Sequence, residues 1–347
     1  MAEMQKIDVD SAGEETGAIA APPAAEPVTR EAFPRNPGIP LDTGWVNEVR
    51  VNRSATEHRA ATMVRRRSIK KDWQAAWLLR ALTCIDLTTL AGDDTPGNVH
   101  RLCAKAKQPA RQDILEALGV GDQGLHVAAV CVYHNLVPAA LEALGGAPIP
   151  VAAVSTGFPA GQISLEQKLN QIRESVAAGA AEIDIVISRA HAIKGNWAAL
   201  YDEVSAFREA CGDAHLKTIL ATGELPTLRH VGMASLVCMM AGADFIKTST
   251  GKEKVNATLP VGLVMTRAIR DYYTRTGHRV GFKPAGGIST AKSALDWLVL
   301  MKEELGDVWL HAGLFRIGAS SLLADIERQL EHHVTGRYAA DHHHPMG

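Results

Sequence analysis

From residue 82 onward, short β-branched runs alternate with longer segments in which apolar residues recur every three or four positions. The runs are Leu82–Leu87, Val127–Tyr133, Pro150–Thr156, Glu182–Ser188, Leu216–Thr222, Asp244–Thr250, Gly281–Ala285 and Leu314–Ala319, each the length of a single strand. The segments with helical period are Asn98–Gln108, Leu136–Leu144, Ser164–Ala178, Asn196–Ala210, Pro226–Ala241, Leu259–Thr276, Thr290–Glu304 and Ser321–His333. Ser164 with Gln167 forms a capping box, and Pro226 and Pro260 suit first-turn positions. Gly179, Gly212, Gly242, Gly277 and Gly306 fall just past proposed helix ends, where a left-handed cap is wanted. Strand–helix units repeated at about 30 residues predict an α/β fold, a single closed (β/α)8 barrel of the TIM type. An open doubly wound sheet would more naturally carry a GxGxxG turn after its first strand, and the chain has none there.

Ser54 to Leu82 predicts a leading helix, so the barrel domain is expected over 54–333. Residues 1–50 form an Ala/Pro/Glu-rich extension with few large apolar side chains, expected to be disordered, and 334–347 a flexible tail. Arg65-Arg66-Arg67 with Lys70-Lys71 could form a nucleic-acid patch, but a charge run on a helix is ordinarily a solvated face.

With 347 residues, 46% of them hydrophobic, the chain can bury a core of barrel size. A formal net charge of −2 provides no global field for nucleic acid or an anionic membrane, and no binding to either is expected. The apolar runs fall short of the roughly 20 residues that a membrane helix needs. Met1 to Glu15 lacks a basic segment followed by an apolar one, so no secretory leader is expected. Cys84, Cys103, Cys131, Cys211 and Cys238 are scattered without CxxC spacing, which reads as reduced thiols in a cytoplasmic protein. Neither HExxH nor paired CxxC occurs, and His342–His344 sit in the polar tail, so no metal or other cofactor is expected.

The chemistry concentrates where strands end. Asp244–Lys252 (DFIKTSTGK) puts Lys247 inside an apolar run, and Gly281–Gly287 (GFKPAGG) repeats the arrangement with Lys283. A buried lysine must lose its charge, find a partner or react, and one ammonium lowers the pKa of another nearby. Lys247 is therefore the candidate amine nucleophile and Lys283 the neighbouring cation, against the blander reading of salt-bridged lysines at strand ends. Asp184, in the apolar strand EIDIVI, calls for a buried cation as partner. Asp86 and Thr88 end the first strand and Cys131 and Tyr133 the second; Asp86 could equally cap a loop. Lys217 is expected to support the polar interior rather than react. Gly286-Gly287 and Ser320-Ser321 open helices after strands seven and eight, a placement suited to binding phosphate through backbone N–H groups. Ser249–Glu253 is not a P-loop, because no glycine lies five residues before Gly251 and Glu253 stands where Ser or Thr is required.

These segments are similar to those of a known family. FIKTSTGK at 245–252, GFKPAGGI at 281–288, EIDIVI at 182–187, CIDLTTL at 84–90 and FRIGASSLL at 315–323 resemble the deoxyribose-phosphate aldolases, class I aldolases with a TIM-barrel fold. The resemblance spans about Leu82 to Leu330 and is to the longer, eukaryotic-type members. It implies reversible cleavage of 2-deoxy-D-ribose 5-phosphate to acetaldehyde and D-glyceraldehyde 3-phosphate, without a metal. By motif, Lys247 matches the Schiff-base lysine, Lys283 the lysine that lowers its pKa, and Asp184 the acid/base residue. Asp86 and Thr88 match residues near the substrate hydroxyls, with Cys131 beside them. Gly286, Gly287, Ser320 and Ser321 match the phosphate pocket, with Gly251 and Lys252 nearby. Some members place a C-terminal tyrosine over the active site; here Tyr338 is the tyrosine of the tail. The partners implied are small molecules, with a homo-oligomer compatible. Two other classes stay open: another Schiff-base barrel enzyme, revealed by activity on a keto acid or ketose, and a catalytically silent scaffold, which the Lys247, Lys283 and Asp184 set argues against.

Overall fold

Eight strands pair in parallel in the order β7-β6-β5-β4-β3-β2-β1-β8 in a computed structural model that describes residues 33–340. They are β1 Ile85–Thr88, β2 Ala129–Tyr133, β3 Val151–Ser155, β4 Glu182–Val186, β5 His215–Ile219, β6 Phe245–Lys247, β7 Gly281–Lys283 and β8 Ile317–Ala319. Bridges between Phe282 and Phe315 and between Ala285 and Gly318 close the ring between β7 and β8. The helices are α1 Thr43–Glu48, α2 Arg53–Arg66, α3 Lys71–Leu82, α4 Pro96–Lys107, α5 Gln112–Ala117, α6 Val137–Leu144 and α7 Leu165–Ala177. They continue as α8 Arg189–Lys194, α9 Trp197–Cys211, α10 Leu228–Met240, α11 Leu259–Thr276, α12 Ala291–Leu305 and α13 Leu322–Thr335. The barrel expected from the periodicity is the fold observed. Several boundaries follow the cap chemistry, as where Ser164 Oγ accepts from Gln167 N to start α7.

Successive strand residues face opposite sides, and the two sides differ in chemistry. Leu87, Val130, Ile183, Ile185, Ile246 and Phe282 point outward into the main apolar core shared with the helices. Inward, β1 and β4–β7 present Asp86, Glu182, Asp184, Lys217, Lys247 and Lys283, all buried. On β2 and β3 the inward Cys131, Ala152 and Val154 form a separate apolar cluster with Leu90, against which Tyr133 and Phe158 pack.

Two expectations need correction. Residues 33–50, assigned by composition to a disordered extension, are ordered against the barrel. Buried Asn36 donates through Nδ2 to Met239 O (2.7 Å) and Ala243 O (2.9 Å), and its own N–H donates to Asp244 Oδ1. Gly38, at φ +73°, sits so close to α10 that a Cβ would lie 2.6 Å from Met240 O, so only glycine fits. Trp45 stacks on Tyr272 at 6.0 Å. Polar composition misleads here because a few anchors carry the segment. The expected disorder of residues 1–32 lies outside the described residues, as do His342–His344.

The single leading helix over 54–82 is two helices. Residues 67–70 break it, and Lys71 adopts a left-handed φ of +52°. α2 buries Thr56, Ala60 and Met63, and α3 buries Ala75, Leu78, Ala81 and Leu82. Among the described residues, no helix is long and apolar enough to cross a membrane.

Candidate active site

A continuous ion network fills the barrel interior. Asp184 on β4 accepts from Lys247 Nζ on β6 and from Lys283 Nζ on β7 at the same oxygen, Oδ2, at 2.8 and 2.7 Å. Its Oδ1 accepts from Lys217 Nζ on β5 at 3.0 Å. Lys217 also reaches Glu182 Oε2 (2.6 Å) and Asp86 Oδ2 (3.3 Å). Asp86 Oδ2 lies 2.5 Å from Lys283 Nζ, and Arg316 ties Asp86 Oδ1 (2.6 Å) to Glu182 Oε1 (2.9 Å). Strand register builds these contacts: Asp184 is paired with Lys217, and Lys247 with Lys283.

The network has two tiers. Lys217, Glu182 and Arg316 form the lower one; Lys247 stands in the last position of β6, nearest the C-terminal mouth where barrels carry their chemistry. Asp184, Asp86 and Lys283 join the tiers. Four basic side chains (Lys217, Lys247, Lys283 and Arg316) thus face three carboxylates (Asp86, Glu182 and Asp184).

The protonation equilibria follow from that imbalance. Burial pushes the Lys247 ammonium below its ordinary pKa; Asp184 opposes the shift and Lys283 adds to it. Burial also works against the charge of Lys283, yet Asp184 and Asp86 outweigh it and hold that ammonium above the usual lysine range. Burial likewise opposes the charge of Asp184, which is nevertheless held well below the carboxylate range by Lys217, Lys247 and Lys283. Glu182 titrates at about 2, with Arg316 and Lys217 overcoming burial. Lys217 meets three carboxylates and is shifted up despite its burial. Of the four cations, Lys247 is the one whose proton is weakened.

The expected residues do not all converge equally. Cys131 is buried close enough for the charges of Lys283, Asp184 and Lys247 to act on its thiol, and burial raises its pKa. Thr88 is partly buried and bonds back to Asp86 O at 2.7 Å. Gly251, Gly286 and Gly287 all have positive φ, of +88°, +87° and +81°, and a Cβ on Gly251 would lie 3.9 Å from Gly286 Cα. Lys252 is exposed beside them. Ser320 and Ser321 are exposed at the end of β8, and Ser320 lines a cavity of about 120 Å³ with Thr89, Asn98, Arg101 and Lys105. Tyr338 stacks on His332 at 4.7 Å, against the last turn of α13, which runs away from the mouth. Glu182 and Arg316 went unrecognised among the candidate residues. Glu182 stands two residues before Asp184 and so shares its inward face, a signal the sequence contains.

A model of the DeoC/LacD family of aldolases matches residues 80–328, which includes every strand of the barrel. The chain belongs to this family. It is an aldolase. It is 63% identical over 311 residues to the deoxyribose-phosphate aldolase of Mus musculus, covering 89% of this chain and 98% of the mouse protein. The Homo sapiens deoxyribose-phosphate aldolase is 60% identical over 313 residues, 90% of this chain and 98% of that one. Among solved structures, the tetrameric deoxyribose phosphate aldolase of Aeropyrum pernix shares the fold, with a TM-score of 0.52 at 23% identity over 76% of this chain and 98% of that one.

Proposed function

We propose that this aldolase cleaves 2-deoxy-D-ribose 5-phosphate reversibly to acetaldehyde and D-glyceraldehyde 3-phosphate, with Lys247 as the Schiff-base lysine. The observation that carries the assignment is the placement of Lys247 at the mouth, donating beside Lys283 to the same oxygen of Asp184, with burial and Lys283 lowering its pKa. A lysine of ordinary pKa is neutral only to about one part in a few thousand at pH 7, so the lowered pKa is what makes the amine available. When Lys247 is the neutral member, three cations face three carboxylates and the buried network is balanced.

Neutral Lys247 attacks the aldehyde carbon, and loss of water leaves an iminium. The bond between C2 and C3 then breaks, its electrons flowing to the iminium nitrogen, as the C3 hydroxyl gives up its proton. D-Glyceraldehyde 3-phosphate leaves, the enamine is protonated at C2, and hydrolysis frees acetaldehyde and the lysine. Asp184 and Lys283 are the groups in position to carry these protons. The apolar side of the interior, Cys131, Ala152 and Val154, suits the two-carbon end of the sugar, which lacks a 2-hydroxyl. Gly251, Gly286 and Gly287, with Ser320 and Ser321, take the phosphate in this reading, and Asp86 and Thr88 support the hydroxyl-bearing end. Assembly into a homo-oligomer is compatible with it, as is a cytoplasmic location.

Borohydride reduction in the presence of acetaldehyde, followed by peptide mapping, tests the assignment. A single ethyl adduct at Lys247, together with cleavage of deoxyribose 5-phosphate, is expected. An adduct at Lys217 or Lys283 would overturn the roles, and turnover of a keto acid in place of the deoxysugar phosphate would overturn the substrate.

A further inference from the structure

Four consecutive loops at the barrel mouth meet at one guanidinium. Arg189 is the first residue of α8, just beyond β4. Its Nη1 donates to Ala160 O at 2.7 Å and its Nη2 to Pro159 O at 2.9 Å, both in the loop after β3. Nε lies 2.8 Å from Glu224 Oε2 in the loop after β5, and Nη2 lies 3.6 Å from Glu253 Oε1 in the loop after β6. The residue before Arg189 is itself anchored. Ser188 donates its N–H to Glu203 Oε2 and its hydroxyl to Glu203 Oε1, and Glu203 forms a buried pair with Lys168 at 2.8 Å.

Glu253 passes this anchorage on. Its carboxylate accepts from Thr250 N, Thr250 Oγ1 and Gly251 N, at 2.7 to 3.2 Å, and so folds the loop that follows Lys247. The folded loop touches its neighbours on both sides. A Cβ on Gly223 would lie 1.9 Å from Val255 O, and one on Gly286 would lie 2.6 Å from Asn256 Cβ. Arg189 is thereby connected to Gly251 and, through Asn256, to Gly286.

We propose that Arg189 is a positioning residue that, through Glu253, holds the loop after β6 in the shape that grips the substrate's phosphate. This rests on the sugar-phosphate reading above. A lysine would not reproduce the role, because its point-like ammonium lacks the planar fork that reaches Ala160 O and Pro159 O together while pairing with Glu224 and Glu253. Arg189 also offsets the charge of Glu253, which would otherwise stand uncompensated beside a phosphate dianion.

The test compares wild type, Arg189→Met, Arg189→Lys and Glu253→Gln on deoxyribose 5-phosphate and on unphosphorylated deoxyribose. Arg189→Met is expected to raise KM for the phosphorylated sugar roughly tenfold or more, the scale of a lost charge-assisted hydrogen bond, with kcat changed far less. kcat/KM for plain deoxyribose and borohydride trapping at Lys247 should be nearly unaffected, and Arg189→Lys should recover only a small part. Equal losses on both sugars, full recovery by lysine, or an unchanged KM would overturn the proposal. If Arg189→Met shows no cooperative unfolding, Glu253→Gln decides: the same selective KM rise, smaller in size, is expected, and its absence overturns the inference. A wild type that traps acetaldehyde at Lys247 but does not cleave the sugar phosphate would instead remove the reading on which the inference depends, and the inference with it.

Discussion

Lys247 and Lys283 donate to the same carboxylate oxygen, Oδ2 of Asp184, from directly paired positions on adjacent strands. Two ammonium groups on one acceptor repel each other, so their protons are not held equally. Lys283 has a second carboxylate, Asp86, at 2.5 Å, and keeps its charge; Lys247 meets Asp184 and sits at the open end, 3% exposed. In the proposed mechanism, this asymmetry of the acids around the pair favours Lys247 over Lys283 as the nucleophile.

Replacing Lys283 with Met should therefore move the acid limb of the rate profile to higher pH. Lys283 is one of the influences that lower the Lys247 pKa, and removing its charge raises the pH at which Lys247 becomes neutral. For every rise of one in that pKa, the neutral fraction at pH 7 falls about tenfold. Activity should fall at pH 7 and partly return at higher pH, read from kcat/KM against pH with folding checked by circular dichroism. A variant with normal activity at pH 7 and an unmoved acid limb would contradict this role.

Lys217→Met should damage stability more than it damages the identity of the nucleophile. Lys217 neutralises Glu182 and Asp184 from inside the barrel, and its loss strands buried carboxylates. Breaking a buried pair in this way costs about 3–5 kcal/mol. Urea denaturation should show a clear drop in midpoint, while any protein that remains folded still traps acetaldehyde at Lys247. An unchanged midpoint would mean that the lower tier contributes little to holding the barrel.

Most of the architecture was legible because the barrel repeats one local rule eight times, and the periods of two and 3.6 separate cleanly. Lys247, Lys283 and Asp184 were legible as charged residues in runs too apolar to leave them solvated. What escaped was non-local. Arg316 precedes β8 and Glu182 opens β4; only closure of the ring brings them together with Asp86. Arg189 follows a strand as an ordinary helix-opening residue, and its four-loop role exists only after the loops are folded. The anchoring of residues 33–50 was hidden for a related reason. Asn36 and Gly38 act through backbone groups of α10 and the turn after it, which composition does not register.

The interior carboxylates predict an acid-sensitive barrel. Glu182, Asp86 and Asp184 all have folded pKa values below their ordinary ones. A lowered folded value contributes stability that is complete above the unfolded pKa and is lost as pH falls through the folded one. For Glu182 the window runs from its ordinary 4.5 down to about 2. Lys283, whose pKa is raised, contributes stability that is lost only as pH rises past the ordinary lysine value of 10.5. Urea midpoints should be level near neutrality and decline steadily below about pH 4.5. A midpoint that stayed constant from pH 5 to pH 3 would show that these pairs do not stabilise the fold.

Ser320→Asp addresses the phosphate end of the substrate. Ser320 directly follows β8, next to the β7 loop that carries Gly286 and Gly287, and it lines a cavity shared with Arg101 and Lys105. An aspartate there places a negative charge where the substrate's dianion is expected, without touching the ion network. The loss should be much larger for deoxyribose 5-phosphate than for deoxyribose, because only the former presents charge to be repelled. At an effective dielectric near 20, a charge about 4 Å away opposes binding by up to about 4 kcal/mol per unit of phosphate charge, so kcat/KM can drop a hundredfold or more. Trapping of acetaldehyde at Lys247 should persist, since acetaldehyde carries no phosphate. Equal losses for both sugars would mean that the substitution had disturbed the mouth as a whole, and the phosphate would then have to be sought away from Ser320.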